Sequence, residues 1–177
     1  MELVRRVRQG DEAAFCRFVD IHGRRLYLLA VSMLESREDA QDAVQETFVG
    51  AFRGLRGFQG RSTVKTWLTR ILMNNIANLR RRRHLRTTLP LDEAAEQLGA
   101  PPDRRMTETR RADMRMDIAA VLGKLPEEHR AVIVLREMQG MTYEEIAAAL
   151  GVPRGTVESR LFRARQKLKD ILGDYLV

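Results

Sequence analysis

Side chains suited to covalent or metal chemistry are sparse in this sequence. His22, His84 and His129 stand far apart, and Cys16 is the only cysteine. No disulfide can form within the chain, and no Cys/His group has metal-ligand spacing. Gly54, Gly57 and Gly60 suggest a phosphate loop, but their spacing is wrong and Arg61 stands where such a loop requires lysine. No nucleophile motif occurs. We therefore expect no catalytic residue, no metal, no cofactor and no enzymatic activity. Cys16 lies between Phe15 and Phe18 and is expected in the core.

Binding chemistry is abundant instead. Lysine and arginine number 31 against 24 aspartates and glutamates, giving a net charge of +7 and a pI of about 10.3. Such an excess suits a polyanion, either nucleic acid or an acidic membrane surface. The charge is concentrated, because Arg80, Arg81, Arg82 and Arg83 are consecutive, with His84 and Arg86 beyond. Four arginines exceed what a helix C-terminus needs, and each phosphate they neutralise would steepen the salt dependence of binding by roughly 0.9 log units. The opening MELVRRVRQGDE carries charges where an export signal needs an apolar stretch. The longest apolar stretch, 26–34, is far below the ~20 residues that cross a bilayer. No membrane insertion is expected, and a cytoplasmic location is.

A more specific signature lies near the C-terminus. Thr142 and Glu145 form a capping box that opens the short helix YEEIAAAL. Gly151 can adopt the left-handed conformation of a tight turn, and a longer basic helix, RGTVESRLFRARQKL, follows. This is a helix-turn-helix pattern. At about 100° per residue, Val157, Leu161, Ala164 and Leu168 share one face of the second helix. Ser159, Phe162, Arg163 and Gln166 lie opposite, with Glu158 at the edge. A major-groove reader needs such a face, with hydrogen-bonding groups beside an apolar contact for a thymine methyl.

The remaining pattern describes what positions these groups. The fold class is all-α, with two small helical domains joined by a flexible linker. Apolar residues recur at helical spacing in Ala13, Phe15, Phe18, Val19 and Ile21, then Leu26, Leu29, Ala30, Met33 and Leu34. Ser36 with Asp39 starts a helix whose stripe is Ala40, Ala43, Val44, Thr47, Phe48, Ala51 and Phe52. Ser62 is expected to cap a third long helix with Val64, Trp67, Leu68, Ile71, Leu72, Ile76 and Leu79 inward. These helices make a three- or four-helix bundle over 1–88. Pro90, Gly99, Pro101 and Pro102 mark a linker over 89–108, with a short helical turn expected at 91–98. The second unit spans 109–177. It opens on a stripe of Met114, Ile118, Val121, Leu122 and Leu125, then a helix from Pro126 burying Ala131, Val132, Leu135 and Met138.

Two stretches together resemble one known family. LPEEHRAVIVLREMQGMTYEEIAAALGVPRGTVESRLFRARQKL is similar to region 4 of extracytoplasmic-function sigma factors, and DAQDAVQETFVGAFRGLRGFQGRSTVKTWLTRILMNNIANLRRRR is similar to their region 2. They stand in the family's order and cover most of the chain. The resemblance implies a factor that binds core RNA polymerase, through its β′ clamp and β flap, and directs promoter-specific initiation. It further implies promoter DNA, duplex and single-stranded, and an anti-sigma protein as partners.

The resemblance also assigns residues. Asp42, Gln45 and Glu46, extended by Asp39, would dock on the β′ clamp. Gly60, Arg61, Ser62, Thr63, Lys65 and Asn74 would hold an extruded base of the −10 element and its phosphates. Arg80, Arg81, Arg82 and Arg83 would neutralise phosphates at the duplex edge. Glu158, Ser159, Phe162 and Arg163 would face the bases of the −35 element, with Arg154, Thr156 and Arg160 on its backbone. Glu158 departs from relatives with a basic residue there and would accept from cytosine N4. Phe52 stands where relatives have tryptophan. The rival reading is a stand-alone helix-turn-helix regulator, for which the acidic patch around Asp42 would have no use.

Overall fold

The computed structural model describes residues 2–87, 118 and 120–173. Every regular element among them is helical. A short helix, α1 (Glu2–Arg8), is followed by three long ones, α2 (Glu12–Met33), α3 (Arg37–Gly54) and α4 (Val64–Thr87). Their starts are chemically marked. The Asp11 carboxylate accepts from the Ala14 amide at 2.9 Å, and the Ser36 hydroxyl accepts from the Asp39 amide at 3.2 Å. The third start differs from expectation, since Thr63 rather than Ser62 takes the Thr66 amide at 3.1 Å. Ser62 is one residue too early to reach the first free amides.

Phe18, Leu26, Leu29, Met33, Leu55, Leu68, Leu72 and Ile76 fill the space between these helices and are almost fully buried. Each such side chain contributes about 1.5–3 kcal/mol by leaving water. Val4 and Val7 place α1 on the same core. The bundle corrects several expectations. Cys16 is exposed, because the core side of α2 runs through Ala14, Phe18, Leu26 and Leu29 and position 16 points away from it. Ala13 is exposed for the same reason, with Ala14 in its place. Ile21 and Phe52 are also exposed, although Phe52 meets the edge of Phe15 at 5.0 Å.

The second unit contains α5 (Glu127–Ile133), α6 (Tyr143–Leu150) and α7 (Arg154–Gly173). A helical stretch that ends at residue 123 precedes them, with Val121 and Leu122 buried. Val134–Met138 continues α5 as a wider turn, which leaves Met138 about half exposed rather than in the core. Ile118, expected on a buried stripe, is exposed as well. The expected linker at 89–108, its short turn, and Met114 lie outside the described residues.

The two units pack together. The face of α4 carrying Thr66, Thr69 and Met73 lies against the second unit and is buried, although the apolar periodicity of α4 did not include it. Thr66 and Thr69 satisfy their hydroxyls there. The Thr69 hydroxyl donates to the Lys65 carbonyl at 2.9 Å and accepts from Arg25 at 3.1 Å.

Candidate nucleic-acid interface

The helix-turn-helix pair is built as its sequence predicts. In α6 the Thr142 hydroxyl accepts from the Glu145 amide at 3.2 Å, and the Glu145 carboxylate accepts from the Thr142 amide at 2.9 Å. Gly151 has φ of 67°, a conformation open to glycine at little cost, and turns the chain into α7. Val157, Leu161 and Ala164 are buried against α5 and α6, with Leu168 half-buried. That anchorage aims Glu158, Ser159, Phe162, Arg163 and Gln166 at solvent. Phe162 is 66% exposed. A phenyl ring this accessible on a basic helix is free to make apolar contact with a partner.

The surrounding charges are organised by ion pairs that the sequence did not signal. Arg154 bridges Glu144 at 2.7 Å and Glu158 at 2.9 Å. Arg160, half-buried, pairs with Glu128 at 2.7 Å, and Arg165 pairs with Glu137 at 2.8 Å. The expected phosphate ligands Arg154 and Arg160 therefore enter any complex already paired, whereas Arg163 is exposed. Thr156 is half-buried at the start of α7. Nothing in the sequence signals the reach of Glu128 to Arg160, which lies on a different helix.

In the first unit, the loop between α3 and α4 is exposed at Gly60, Arg61 and Thr63 and half-exposed at Ser62. Gly60 has φ of 69°. Behind the loop, Phe58 meets Trp67 with ring centroids 4.9 Å apart, so Trp67 supports the loop from the core side. Lys65 is half-buried and its ammonium donates to the Gln139 carbonyl at 2.6 Å. Asn74 is exposed further along α4, whereas Asn75 donates to the buried Thr47 hydroxyl at 3.1 Å.

The four arginines do not behave alike. Arg80 donates to the Met33 carbonyl and pairs with Glu127. Arg83 pairs with Asp39. Arg81 and Arg82 are exposed, and Arg81 donates to the Asn78 side chain at 2.6 Å. On α3, Asp42, Gln45 and Glu46 are exposed together on one face, while Asp39 is half-buried against Arg83. The predicted acidic patch thus comprises three presented side chains and one turned into its own bundle. Among the described residues no group of acids, histidines and cysteines could hold a metal ion, and no helix is long and apolar enough to cross a membrane.

Two family models match the chain. A family model described as "Sigma-70 region 2" matches residues 18–86, and one described as "Sigma-70, region 4" matches 115–168. The chain is 35% identical to the RNA polymerase sigma-H factor of Pseudomonas aeruginosa over 97% of its length and 92% of that protein. It is 36% identical to the ECF RNA polymerase sigma-E factor of Escherichia coli K12, covering 94% of this chain and 90% of the relative. Among solved structures, CnrH in complex with the cytosolic domain of CnrY superposes with a TM-score of 0.73 at 32% identity, over 97% of this chain and 96% of the other. The sigma factor RpoE of Bartonella quintana, in complex with the anti-sigma factor NepR, gives 0.68 at 26% identity, over 90% and 96%.

Proposed function

Since the chain belongs to the extracytoplasmic-function sigma factors of the sigma-70 family, we propose how its surfaces divide the work of starting transcription. The protein is an RNA polymerase sigma factor that directs transcription initiation. It performs no catalysis itself and works in the cytoplasm beside the polymerase. Asp42, Gln45 and Glu46 dock on the β′ clamp, with Asp39 holding the patch against α4 through Arg83. The loop Gly60, Arg61, Ser62 and Thr63, with Lys65 and Asn74, receives a base of the −10 element as the strands part, and stacking and backbone contacts hold the single strand. Arg80, Arg81, Arg82 and Arg83 line the adjoining duplex. Glu158, Ser159, Phe162 and Arg163 read the −35 element, with Arg154, Thr156 and Arg160 beside its backbone, and the second unit also meets the β flap.

The observation that carries this reading is the exposed acid-amide face of α3 on a chain of net charge +7. DNA repels that face, so it serves a protein partner, and a stand-alone regulator has no use for it. Two domains that each bind DNA weakly become one strong reader when polymerase fixes their spacing. The relatives solved with CnrY and with NepR support an anti-sigma partner for this chain too. Run-off transcription with core polymerase on genomic fragments tests the reading. Defined start sites sharing two promoter elements are expected only when the chain is added. Starts that do not depend on the chain, or tight operator binding without polymerase, would favour the regulator.

A further inference from the structure

Where α7 lies on α5, one arginine assigned to the DNA backbone is held by an acid of its own chain. Arg160, Arg163 and Lys167 recur at helical spacing and share a basic stripe of α7. Helix α5 presents Glu128 and His129 to that stripe. One Glu128 oxygen, Oε2, accepts from the Arg160 guanidinium at 2.7 Å. The other, Oε1, lies 4.0 Å from His129 Nε2, too far for a hydrogen bond. His129 is buried, and its Nδ1 has no partner. A single carboxylate therefore stands between a guanidinium and an imidazole whose surroundings favour the neutral form. Burial does most of this, Lys167, Arg163 and Arg160 add to it, and Glu128 opposes it.

We propose that Glu128 is a positioning residue for −35 binding, which withholds Arg160 from phosphate until a proton on His129 takes over its carboxylate. The inference rests on the reading of α7 as the −35 helix. A backbone phosphate must compete with Glu128 for Arg160, and it also meets the negative charge of that carboxylate. Once Arg160 turns to the phosphate, Glu128 is left beside His129. The Glu128 side chain is exposed, and a small rotation closes the gap to Nε2. An opposite charge at that distance favours the charged imidazole, so the bound chain accepts a proton from water that the free chain refuses. Of the groups facing His129, Glu128 on its own helix and Arg160, Arg163 and Lys167 on α7, none has an ordinary pKa near neutrality. The exchange is reciprocal. The factor by which duplex raises the proton affinity of His129 is the factor by which the proton tightens duplex binding. The free-chain pKa lies below 6.5 and rises on binding, so affinity increases as pH falls through the bound-state value toward the free one.

The test titrates the full chain with a −35 duplex from a promoter mapped with the holoenzyme, across pH and salt. Parent affinity should increase about three- to tenfold on acidification, the change that a pKa raised by about half to one unit produces. Glu128→Gln should bind as tightly as the acidified parent at every pH. Its salt slope should be steeper by roughly 0.9 log units, because Arg160 is free for one more phosphate. His129→Gln should stay at the weaker affinity throughout. Proton NMR, with His129→Gln identifying the signal, should show a higher His129 pKa when duplex is bound. Three results overturn the role of Glu128 while leaving the −35 reading standing. They are parent affinity that stays flat or falls with acid, a pH slope in either variant equal to the parent's, and a His129 pKa that duplex does not move. If no −35 duplex is bound at any pH, alone or in the holoenzyme, both fall together. Circular dichroism at each pH confines the comparison to folded protein.

Discussion

The Arg154 guanidinium donates to the Glu158 carboxylate one turn along α7, at 2.9 Å, while its other side meets Glu144 at 2.7 Å. The two carboxylates raise the arginine's affinity for its proton, the Glu158 hydrogen bond most of all. Glu158 thus stands at the edge of the reading face with one oxygen already engaged and the other available to a base amino group. Replacing Glu158 by alanine removes an acceptor for cytosine N4 and frees Arg154 for phosphate. Selection from a randomised −35 library should lose preference at one base pair, by roughly 5- to 150-fold. Total duplex affinity should hold steady or rise. Unchanged selectivity at every position would remove Glu158 from the reading face.

Asp42, Gln45 and Glu46 bury nothing, so their replacement by alanine should separate binding from folding. We expect the triple variant to lose core-polymerase affinity by at least tenfold. Its unfolding free energy should change by no more than about 0.5 kcal/mol per site, as is usual for surface positions. Size-exclusion chromatography with core enzyme, alongside urea denaturation, measures both. Normal holoenzyme formation would place the docking surface elsewhere.

What was legible in the sequence was local or periodic. Gly151 and the Thr142–Glu145 box announced α6 and its turn because the residues that satisfy the helix end lie within three positions of it. Val157, Leu161 and Ala164 were readable as buried because α7 packs along a single stripe. On α4 the same reasoning was incomplete. Thr66 and Thr69 are polar, so no periodicity of apolar residues shows that a second unit covers them. The presented patch at 42, 45 and 46 followed from the α3 stripe, but the turning of Asp39 toward Arg83 depends on how α3 and α4 approach. Cys16, Ile21, Phe52 and Met138 failed for the opposite reason. Each is apolar enough to be assigned inward, and only the arrangement of neighbours leaves it in water.

The buried Thr47 hydroxyl donates to the Ala43 carbonyl at 2.6 Å and accepts from Asn75 at 3.1 Å. It ties α3 to α4 behind the docking face. Thr47→Val keeps the shape but leaves the Asn75 amide without that acceptor, at a cost of about 1–3 kcal/mol. The urea midpoint should fall with an unchanged slope. Adding Asn75→Leu should recover part of the loss, since the orphaned donor is then gone. A double variant less stable than the sum of both singles would contradict this account.

Arg81 and Arg82 are the exposed members of the arginine run, while Arg80 and Arg83 hold acids of their own chain. Removing either exposed arginine should lower the salt slope of promoter binding by the holoenzyme, by about 0.9 log units for each phosphate that the arginine had neutralised. Arg80→Ala should also perturb the joint with the second unit. Titration of binding against salt for the single variants distinguishes them. Slopes identical to the parent for Arg81→Ala and Arg82→Ala would mean that neither touches phosphate.

His129 makes the stability of the second unit depend on acidity. It is buried, its Nδ1 has no hydrogen-bond partner, and its Nε2 lies 4.0 Å from Glu128. Burial lowers its pKa below the ordinary 6.5. The Glu128 charge opposes the shift, and Lys167, Arg163 and Arg160 on α7 add to it. His22, behind Phe18 and beside Arg25, is shifted the same way, first by burial. Well above pH 6.5 both folded and unfolded chains carry a neutral imidazole, and stability is complete. As pH falls through that value the unfolded chain takes up a proton that the folded chain refuses, so stability declines until the folded group titrates. The urea midpoint should drop as pH falls through about 6.5, and His129→Gln should flatten part of that slope. Glu128→Gln removes the opposing carboxylate, lowers the folded pKa further and should extend the decline to lower pH. An unaltered slope in His129→Gln would show that this imidazole is not what acid attacks.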